Sequence, residues 1–478
     1  MTVDAVVLDS RLYEQVAAHV EALVQHGALR PGDKVPSLRV LRRQHGVSLA
    51  TVVRAYRELE ARGVIEARPQ SGFFARSRPP VAREPAPPRE SVASMPASVD
   101  ALVGRLYDMI RDPNCVPLGA AVPAPSILPM ERLNATLAGI ARTAGARGAT
   151  YESSSGPLAL RRQLAKRATS WGCALGPDDF VTTLGATEAM ALAIRATTKP
   201  GDVVAVESPT YFGFLELLES QGLRALEIPV VPGRGFDVDA LGRALGREKV
   251  AAVITTPTFH NPTGVCMPDE DKARLVALLA QKGIPLIEDD VYGDLAFDGG
   301  RPRPAKAFDR DGNVLLCGSV SKTLAAGYRV GWISPGRFEA AVLRMKRANT
   351  MEGALLPQLA VAEFFATGAY DRHLRVIRRK LGVQLGRLRA AVSLHFPRGT
   401  RMSAPEGGLV LWVELPRGYD ARALYAEAAR RRISIAPGVL FASKPRFTRF
   451  LRLNGGSPWS DSLEAAVRAL GRACSRAT

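Results

Sequence analysis

Gly318-Ser319-Val320-Ser321-Lys322-Thr323-Leu324-Ala325-Ala326-Gly327-Tyr328-Arg329-Val330-Gly331-Trp332 is the stretch from which the rest of the chain is read. An apolar run, Val314 to Cys317, leads into it and predicts a strand. A serine-rich turn, a lysine and a glycine turn follow, and a second strand begins near Val330. One lysine therefore stands at the mouth of a sheet, with two hydroxyls just before it and Arg329 seven residues after it. A lysine amine condenses with an aldehyde only when it is partly neutral, and desolvation or cationic neighbours make it so. Serines and a guanidinium are the groups a phosphate needs. Taken alone, the stretch also fits a surface lysine in a connecting loop. Lysine, phosphate donors and a sheet edge together point to pyridoxal 5′-phosphate.

Upstream, short apolar runs recur at Phe180 to Leu184, Val203 to Val206, Arg224 to Val230, Val250 to Thr255 and Pro285 to Glu288. Most do not alternate, and helical segments such as 268–282 lie between several of them. That is the pattern of a largely parallel sheet covered on both faces, an α/β body. Ligands of such sheets bind at the carboxyl ends of the strands, and the informative polar residues fall there. Gly185-Ala186-Thr187 opens a helix, and its free amides and the threonine hydroxyl form an anion site. Tyr211 can stack on an aromatic cofactor or serve as a core tyrosine. Asn261, in a His-Asn-Pro-Thr-Gly turn, has an amide suited to a ring hydroxyl. Asp289 follows its strand, with Tyr292 three residues on. A carboxylate facing a pyridine nitrogen keeps that nitrogen protonated; the adjacent Asp290 competes for the same assignment.

Downstream, residues 380–478 read as a smaller C-terminal α/β part. A long helix runs to about Leu394, and a strand spans Leu409 to Val413. In Phe450-Leu451-Arg452-Leu453-Asn454, Arg452 alternates with the leucines. A lone inward arginine is a bidentate clamp for a carboxylate; an outward arginine on a sheet is the alternative.

Between 77 and 100, prolines are interspersed with Arg, Glu and Ala, which predicts an extended, semi-stiff linker that buries nothing. Ahead of it, residues 1–76 form a small unit. Leu12, Val16, Val20, Leu23 and Val24 predict a helix over 10–26, stopped by Gly27. Arg30-Pro31-Gly32-Asp33 is a turn, and Ser37 caps a short helix ending near Gly46. Ser48 caps the next, with Val52, Tyr56 and Leu59 on its buried side and Gly63 at its end. Two short helices across a tight turn make a helix-turn-helix. Val64 to Ala67 and Gly72 to Ala75, joined by Arg68 to Ser71, read as a wing. The helix at Ser48 would enter a major groove N-terminus first, presenting Ser48, Leu49, Thr51 and Arg54. Arg39, Arg42 and Arg43 would flank it. Eleven basic and eight acidic residues make the head only mildly basic, so topology rather than charge carries this reading.

With 478 residues the chain is too long for one ordinary core, and two or three domains are expected. No run of 18 apolar residues occurs, so no membrane partner is expected. The N-terminus lacks a basic start followed by an apolar stretch, so no signal peptide is expected. The five cysteines have no metal spacing and an odd total; no metal site and a reducing cytoplasm are expected. A net charge of +18 favours polyanionic partners; a composition rich in Ala, Arg and Gly is the alternative source of that charge.

The stretch Gly27 to Phe74 resembles the winged helix-turn-helix of GntR-type regulators, through Leu29 to Arg39, Gly46-Val47-Ser48, Thr51-Val52, Ala55-Tyr56 and Ser71-Gly72-Phe73-Phe74. The resemblance implies double-stranded DNA as partner, contacted by Ser37, Arg39, Ser48, Thr51, Arg54, Ser71 and Gly72. It departs at Leu49, where the family often has an arginine; leucine can touch a thymine methyl. Residues 115 to 470 resemble the fold type I aminotransferases through Asn261-Pro262-Thr263-Gly264, Asp289 to Tyr292, Ser319-Val320-Ser321-Lys322 and Arg329. By that resemblance Lys322 forms the internal aldimine with pyridoxal phosphate, Asp289 pairs with the ring nitrogen, and Asn261 and Tyr292 bond the ring oxygen. Ser319, Ser321, Arg329, Ala186 and Thr187 hold the phosphate, Tyr211 stacks on the ring, and Arg452 holds an α-carboxylate. Tyr151, ahead of Ser155-Gly156-Pro157-Leu158, looks like the tyrosine lent to a partner's phosphate site, which implies a homodimer.

Head, linker and body in this order resemble the MocR subfamily of GntR-type regulators. The implied function is a regulator whose body, 101–478, senses pyridoxal phosphate or an amine or amino acid effector. The alternative is an active aminotransferase with a tethered DNA-binding head. A third reading has the body only dimerise and store cofactor.

Overall fold

The strands that matter most here are short and apolar because both of their faces are covered. The structure, a computed structural model, describes residues 3–26, 28–30, 32–61, 63–68, 71–76, 83–91, 93–98, 102–298 and 300–476. In the body the strands are β3 (Met95–Pro96), β4 (Val116–Pro117), β5 (Val181–Thr183), β6 (Val203–Ser208), β7 (Arg224–Val231), β8 (Gly235–Phe236), β9 (Val250–Thr255), β10 (Leu286–Asp289), β11 (Val314–Ser319) and β12 (Gly331–Ser334), after β1 (Ile65–Arg68) and β2 (Gly72–Ala75) in the head. The large sheet runs β3-β7-β6-β9-β10-β11-β12-β5, with β8 on the side of β7. Strands β7, β6, β9, β10 and β11 are parallel, and β12 runs against both β11 and β5. The carboxyl ends of β5, β6, β9, β10 and β11 therefore share one rim. Val204, Ile254, Ile287 and Leu315 point to one face of the sheet, and Ala205, Val253, Leu286 and Val314 to the other. Both faces are thus buried under helices, as the non-alternating runs predict.

A smaller sheet joins Arg401–Met402, Val410–Glu414, Phe450–Asn454 and Ala436–Pro437. The helices Ala369–His395, Ala421–Arg430 and Asp461–Arg476 pack on it through Leu388, Leu424 and Val467. The expected boundary at residue 380 falls inside the first of these helices. The smaller subdomain also takes in chain from far upstream. β4 pairs with Ile433–Ser434, and Leu102, Met109 and Leu118 join its core.

In the head, α1 (Val3–Gln25), α2 (Leu38–His45) and α3 (Leu49–Ala61) bury Val16, Val20, Leu41, Val52, Tyr56 and Leu59 together. Ser37 caps α2, its Oγ accepting from the Val40 amide at 3.4 Å, and Gly46 ends it at φ 63°. β1 and β2 pair antiparallel as the wing, Ile65 opposite Ala75. The first helix begins earlier than the expected residue 10. The stop at Gly27, the turn residue Pro31 and the wing residues Pro69 and Gln70 lie outside the described residues, as do Pro79 and Pro80 of the linker.

One expectation is overturned between head and body. Residues 83–91 and 93–98 are not a linker that buries nothing. Pro85, Ser94 and Ala97 are buried, and Met95–Pro96 adds an antiparallel edge to β7. The Ser94 amide donates to Glu248 at 2.9 Å, and Arg224 donates to the Ser94 carbonyl at 2.9 Å. Met402 donates to the Arg83 carbonyl at 3.1 Å, and Arg446 to that of Arg89 at 3.3 Å. Proline leaves few amide donors to satisfy, so such a segment docks through its carbonyls and interspersed polar residues. This strap touches the large sheet through Arg224, the loop before β9 through Glu248, and the smaller subdomain through Met402 and Arg446.

Candidate functional site

At the shared rim lies a cavity of about 530 Å³. It is lined by Lys322, Asp289, Asn261, Tyr292 and Arg452, by Ala186, Thr187, Ser319, Ser321 and Arg329, and by Tyr211. The structure thus gathers residues spread along the chain from Ala186 to Arg452. Tyr151 alone of the expected body residues stands away from it, 82% exposed.

Lys322 follows the end of β11 by three residues, and its Nζ donates to the Ala121 carbonyl at 2.8 Å. Burial, then the Arg452 charge, hold its amine down to about 8, while Asp289 pulls the other way. A minor fraction of this amine is therefore neutral near physiological pH, far more than for an ordinary lysine. Asp289 ends β10, beside Cys317 of β11. Burial, then the neighbouring Asp290, raise its carboxyl to about 7. Its Oδ1 is buried and, among the described residues, has no hydrogen-bond partner. Asp290, the competing candidate, is bound by Arg301 in a buried ion pair and is committed to the scaffold.

Asn261 is fixed from behind. His260 Nδ1 meets Thr263 Oγ1 at 2.8 Å, and His260 Nε2 lies 3.2 Å from Glu207, which also accepts from Thr255 Oγ1 at 2.6 Å. The Asn261 amide donates to the Tyr292 hydroxyl at 3.4 Å. Its Oδ1 accepts from Arg452 at 2.8 Å, and Arg452 also donates to the Gly119 carbonyl at 2.5 Å. Arg452 is 1% exposed, and its Nε has no partner among the described residues. Its phase against Leu451 and Leu453 turns it toward the cavity, between the rings of Phe212 and Phe441.

The end expected to take an anion is built on a glycine. Gly185 has φ 80° and caps the helix Ala186–Thr197. A Cβ there would come within 2.5 Å of the Arg329 guanidinium. Arg329 Nη2 donates to the Leu184 carbonyl at 2.8 Å, which aims it at the helix start. Ser319 Oγ accepts from the Ser321 amide at 3.3 Å. Helix amides, two serines and a guanidinium converge where a phosphate fits. Tyr211 precedes the helix Phe212–Ser220, and its ring folds back over Gly213, where any Cβ would collide with it.

Three groups of this cavity were not foreseen from sequence. Tyr107 arrives from helix Leu102–Arg111, Glu216 from the helix after Tyr211, and the Ala121 carbonyl meets Lys322. Tyr211, Tyr107 and Glu216 line this cavity together.

On the head, Ser37, Arg39, Ser48, Arg54, Ser71 and Gly72 are exposed, with Leu49 46% exposed. Arg54 stacks over the Tyr13 ring at 4.1 Å. Thr51 corrects the expectation of an outward contact: it is 2% exposed. The Ser48 cap accounts for this, because its Oγ takes the Thr51 amide at 3.1 Å and meets the Thr51 hydroxyl at 2.8 Å. Among the described residues no helix is long and apolar enough to cross a membrane.

A model of the aminotransferase class I and II family matches residues 128–470, and one of the gntR family of bacterial regulatory proteins matches residues 12–75. The chain is similar to YdcR of Escherichia coli K12, an uncharacterized HTH-type transcriptional regulator, at 37% identity over 96% of this chain and 98% of that one. YjiR of the same organism, described in the same words, is 35% identical over 97% and 99%. Among solved structures, LysN of Thermus thermophilus, an alpha-aminoadipate aminotransferase complexed with N-(5′-phosphopyridoxyl)-L-leucine, matches with TM-score 0.72 and 27% identity. That match covers 79% of this chain and 95% of LysN.

Proposed function

The chain belongs to the aminotransferase class I and II family and, through its gntR-type head, to the MocR group of transcriptional regulators, and from that premise we propose that its body senses an amino compound together with pyridoxal 5′-phosphate and alters operator binding by the head. Proteins of this family are pyridoxal phosphate-dependent, and the residues present fit that group: a neutralisable lysine, an open buried carboxylate oxygen and an anion cradle meet in one cavity. That convergence is the observation that carries the reading.

Bound pyridoxal phosphate supplies an aldehyde for primary amines and a ring that takes up electron density. The chain's residues supply the rest. Lys322 Nζ holds the cofactor and exchanges a proton near neutral pH. Asp289, whose Oδ1 is buried and open, would pair with the ring nitrogen and favour its protonated form. Asn261 and Tyr292 orient the ring oxygen, and Tyr211 covers the ring. Ser319, Ser321, Arg329, the Ala186 amide and Thr187 hold the phosphate. Arg452 takes the α-carboxylate of the ligand. Tyr151, exposed in one chain, reaches the phosphate site of the second chain of a homodimer. In the head, Ser37, Arg39, Ser48, Arg54, Ser71 and Gly72 meet double-stranded DNA, and Thr51 acts by holding Ser48. The protein works in the cytoplasm.

For regulation the ligand must favour one arrangement of the heads, and a tenfold change in DNA affinity requires about 1.4 kcal/mol of differential binding. The test is a mobility shift on DNA upstream of the protein's own gene and its neighbours, with cofactor-free protein, then with pyridoxal phosphate, then with a panel of amino acids. Specific retardation that one ligand changes is the expected result. Absence of specific retardation in every condition overturns it. The second reading, an active aminotransferase, is favoured by the completeness of the cavity; keto-acid-dependent product formation from an amino acid is its test.

A further inference from the structure

The cavity contains one acid that the cofactor machinery does not use. Its acidic lining residues are Asp289 and Glu216, and Asp289 sits at the inner end, beside Lys322. Glu216 lies on helix Phe212–Ser220, one turn beyond Phe212. Residues four apart share a helix face about 6 Å apart. Phe212 is buried, with the Arg452 guanidinium 5.9 Å from its ring centroid. The same helix face therefore runs from the carboxylate clamp outward to a carboxylate.

Glu216 is poorly compensated where it stands. Burial and the neighbouring Glu219 both raise its pKa, and only the Tyr107 hydroxyl opposes them. Among the described residues no lysine or arginine is one of the groups that shift it. Tyr107 and Tyr211 line the same cavity, so this carboxylate shares it with two phenol hydroxyls. A half-buried carboxylate beside a like charge is stabilised by a cation that reaches it. The wall beside it, Ile110 and Leu217, is apolar and suits a run of methylenes. Lys322, Arg329 and Arg452 already have anionic or carbonyl partners assigned at the inner end, so the cavity is positive within and negative at Glu216.

We infer that the ligand of this cavity is an amine or α-amino acid with a second, distal positive charge, which Glu216 and the Tyr107 hydroxyl receive. The inference rests on the reading of the cavity as a pyridoxal phosphate and amine site, and adds the class of amine. An α-carboxylate on Arg452 and a distal ammonium on Glu216 select a dibasic amino acid; a diamine uses the Glu216 end alone. A ligand with a distal carboxylate is repelled there.

The experiment uses the full-length protein loaded with pyridoxal phosphate. L-Lysine, L-norleucine and L-2-aminoadipate share a six-carbon chain and differ in the distal group; 1,5-diaminopentane and 1-aminopentane form a second pair. Dissociation constants come from the cofactor's visible absorbance and from titration calorimetry. The expected result is that one dicationic probe binds at least tenfold tighter than its uncharged partner, and aminoadipate most weakly. In Glu216→Gln that ratio collapses toward one, and in Glu216→Lys aminoadipate overtakes lysine. Tyr107→Phe lowers the ratio while keeping the ring. Equal binding of the paired probes, or an unchanged ratio in Glu216→Gln, overturns the inference. Loss of the cofactor itself on dialysis of the wild-type protein overturns the underlying reading instead. Retained cofactor with no binding of any of the five probes overturns the inference and leaves the cofactor assignment standing.

Discussion

Arg452 and Asn261 are bound to each other across the site: an Arg452 Nη donates to Asn261 Oδ1 at 2.8 Å, and the Asn261 amide continues to the Tyr292 hydroxyl at 3.4 Å. The proposed carboxylate clamp and the proposed ring-oxygen pair are thus one network. Arg452→Lys keeps the charge but loses the fork, so one contact to Asn261 or Gly119 goes unmade. The expected outcome is at least a tenfold weaker response to α-amino acids, about 1.4 kcal/mol, with cofactor still retained. Amines lacking an α-carboxylate should lose less. Titration of the cofactor absorbance with paired amino acids and amines checks it.

Lys322 gives a sharper test because its amine is held down to about 8. Cofactor-free protein should react with an added aldehyde increasingly as pH rises through about 8, well before an ordinary lysine near 10.4 does so. Lys322→Ala should remove that step and let pyridoxal phosphate wash out on dialysis. A cofactor absorbance that survives both dialysis and the substitution would refute the assignment.

Asp289 predicts a pH slope in stability. Its carboxyl is raised to about 7 in the folded chain by burial and by Asp290, whereas an unfolded aspartate titrates near 3.9. Between about 4 and 7 the folded cofactor-free protein holds the extra proton. Its stability contribution is full below the unfolded value and is lost as pH rises through the folded one. Asp289→Asn should flatten that slope. Loading the cofactor should also flatten it, because a protonated ring nitrogen favours the carboxylate. Denaturant melts from pH 4.5 to 7.5, with and without cofactor, provide the comparison.

In the head, Arg39 is exposed and Thr51 buried, so their substitutions separate. Arg39→Ala should weaken DNA binding across sequences and lower the salt slope by about 1. Thr51→Val should leave the salt slope alone and destabilise the head by about 1 kcal/mol, through loss of its bond to Ser48. Salt-dependent binding isotherms and melts of both variants distinguish them.

How far sequence carries is clear from particular residues. The sheet and its rim could be read because non-alternating strands have only one environment, and Asp289 and Ser319 end their strands with Lys322 just beyond. Arg452 could be read from its alternation with leucines. Tyr107 could not: its helix, Leu102–Arg111, has the apolar spacing of any packed helix, and its place depends on a fold closed by chain far downstream. Thr51 was misread although it precedes Val52 on the buried side, because hydroxyls at helix starts more often face outward. The strap was misread because proline-rich composition fits an extended chain whether free or docked. What docks it are partners such as Glu248, 154 residues from Ser94, which no local pattern reveals.

The strap itself supplies the last test. Residues 83–98 are held on one side by Glu248, which takes the amide of Ser94 at 2.9 Å and its hydroxyl at 3.2 Å, and on the other by Arg446 at the Arg89 carbonyl. A trypsin site at Arg89 is therefore exposed in its side chain but pinned in its backbone. Cleavage there requires local undocking, and its rate follows the population of the undocked form. Losing one such anchor removes about 1 kcal/mol, which raises that population roughly fivefold. Glu248→Ala and Arg446→Ala should each speed cleavage after Arg89, and together should do so by more than either alone. Because the strap joins head to body across both subdomains, an effector that draws them together should slow the same cleavage in the wild-type protein. Rates that ignore both substitutions and effector would mean that the strap does not take part in the signal.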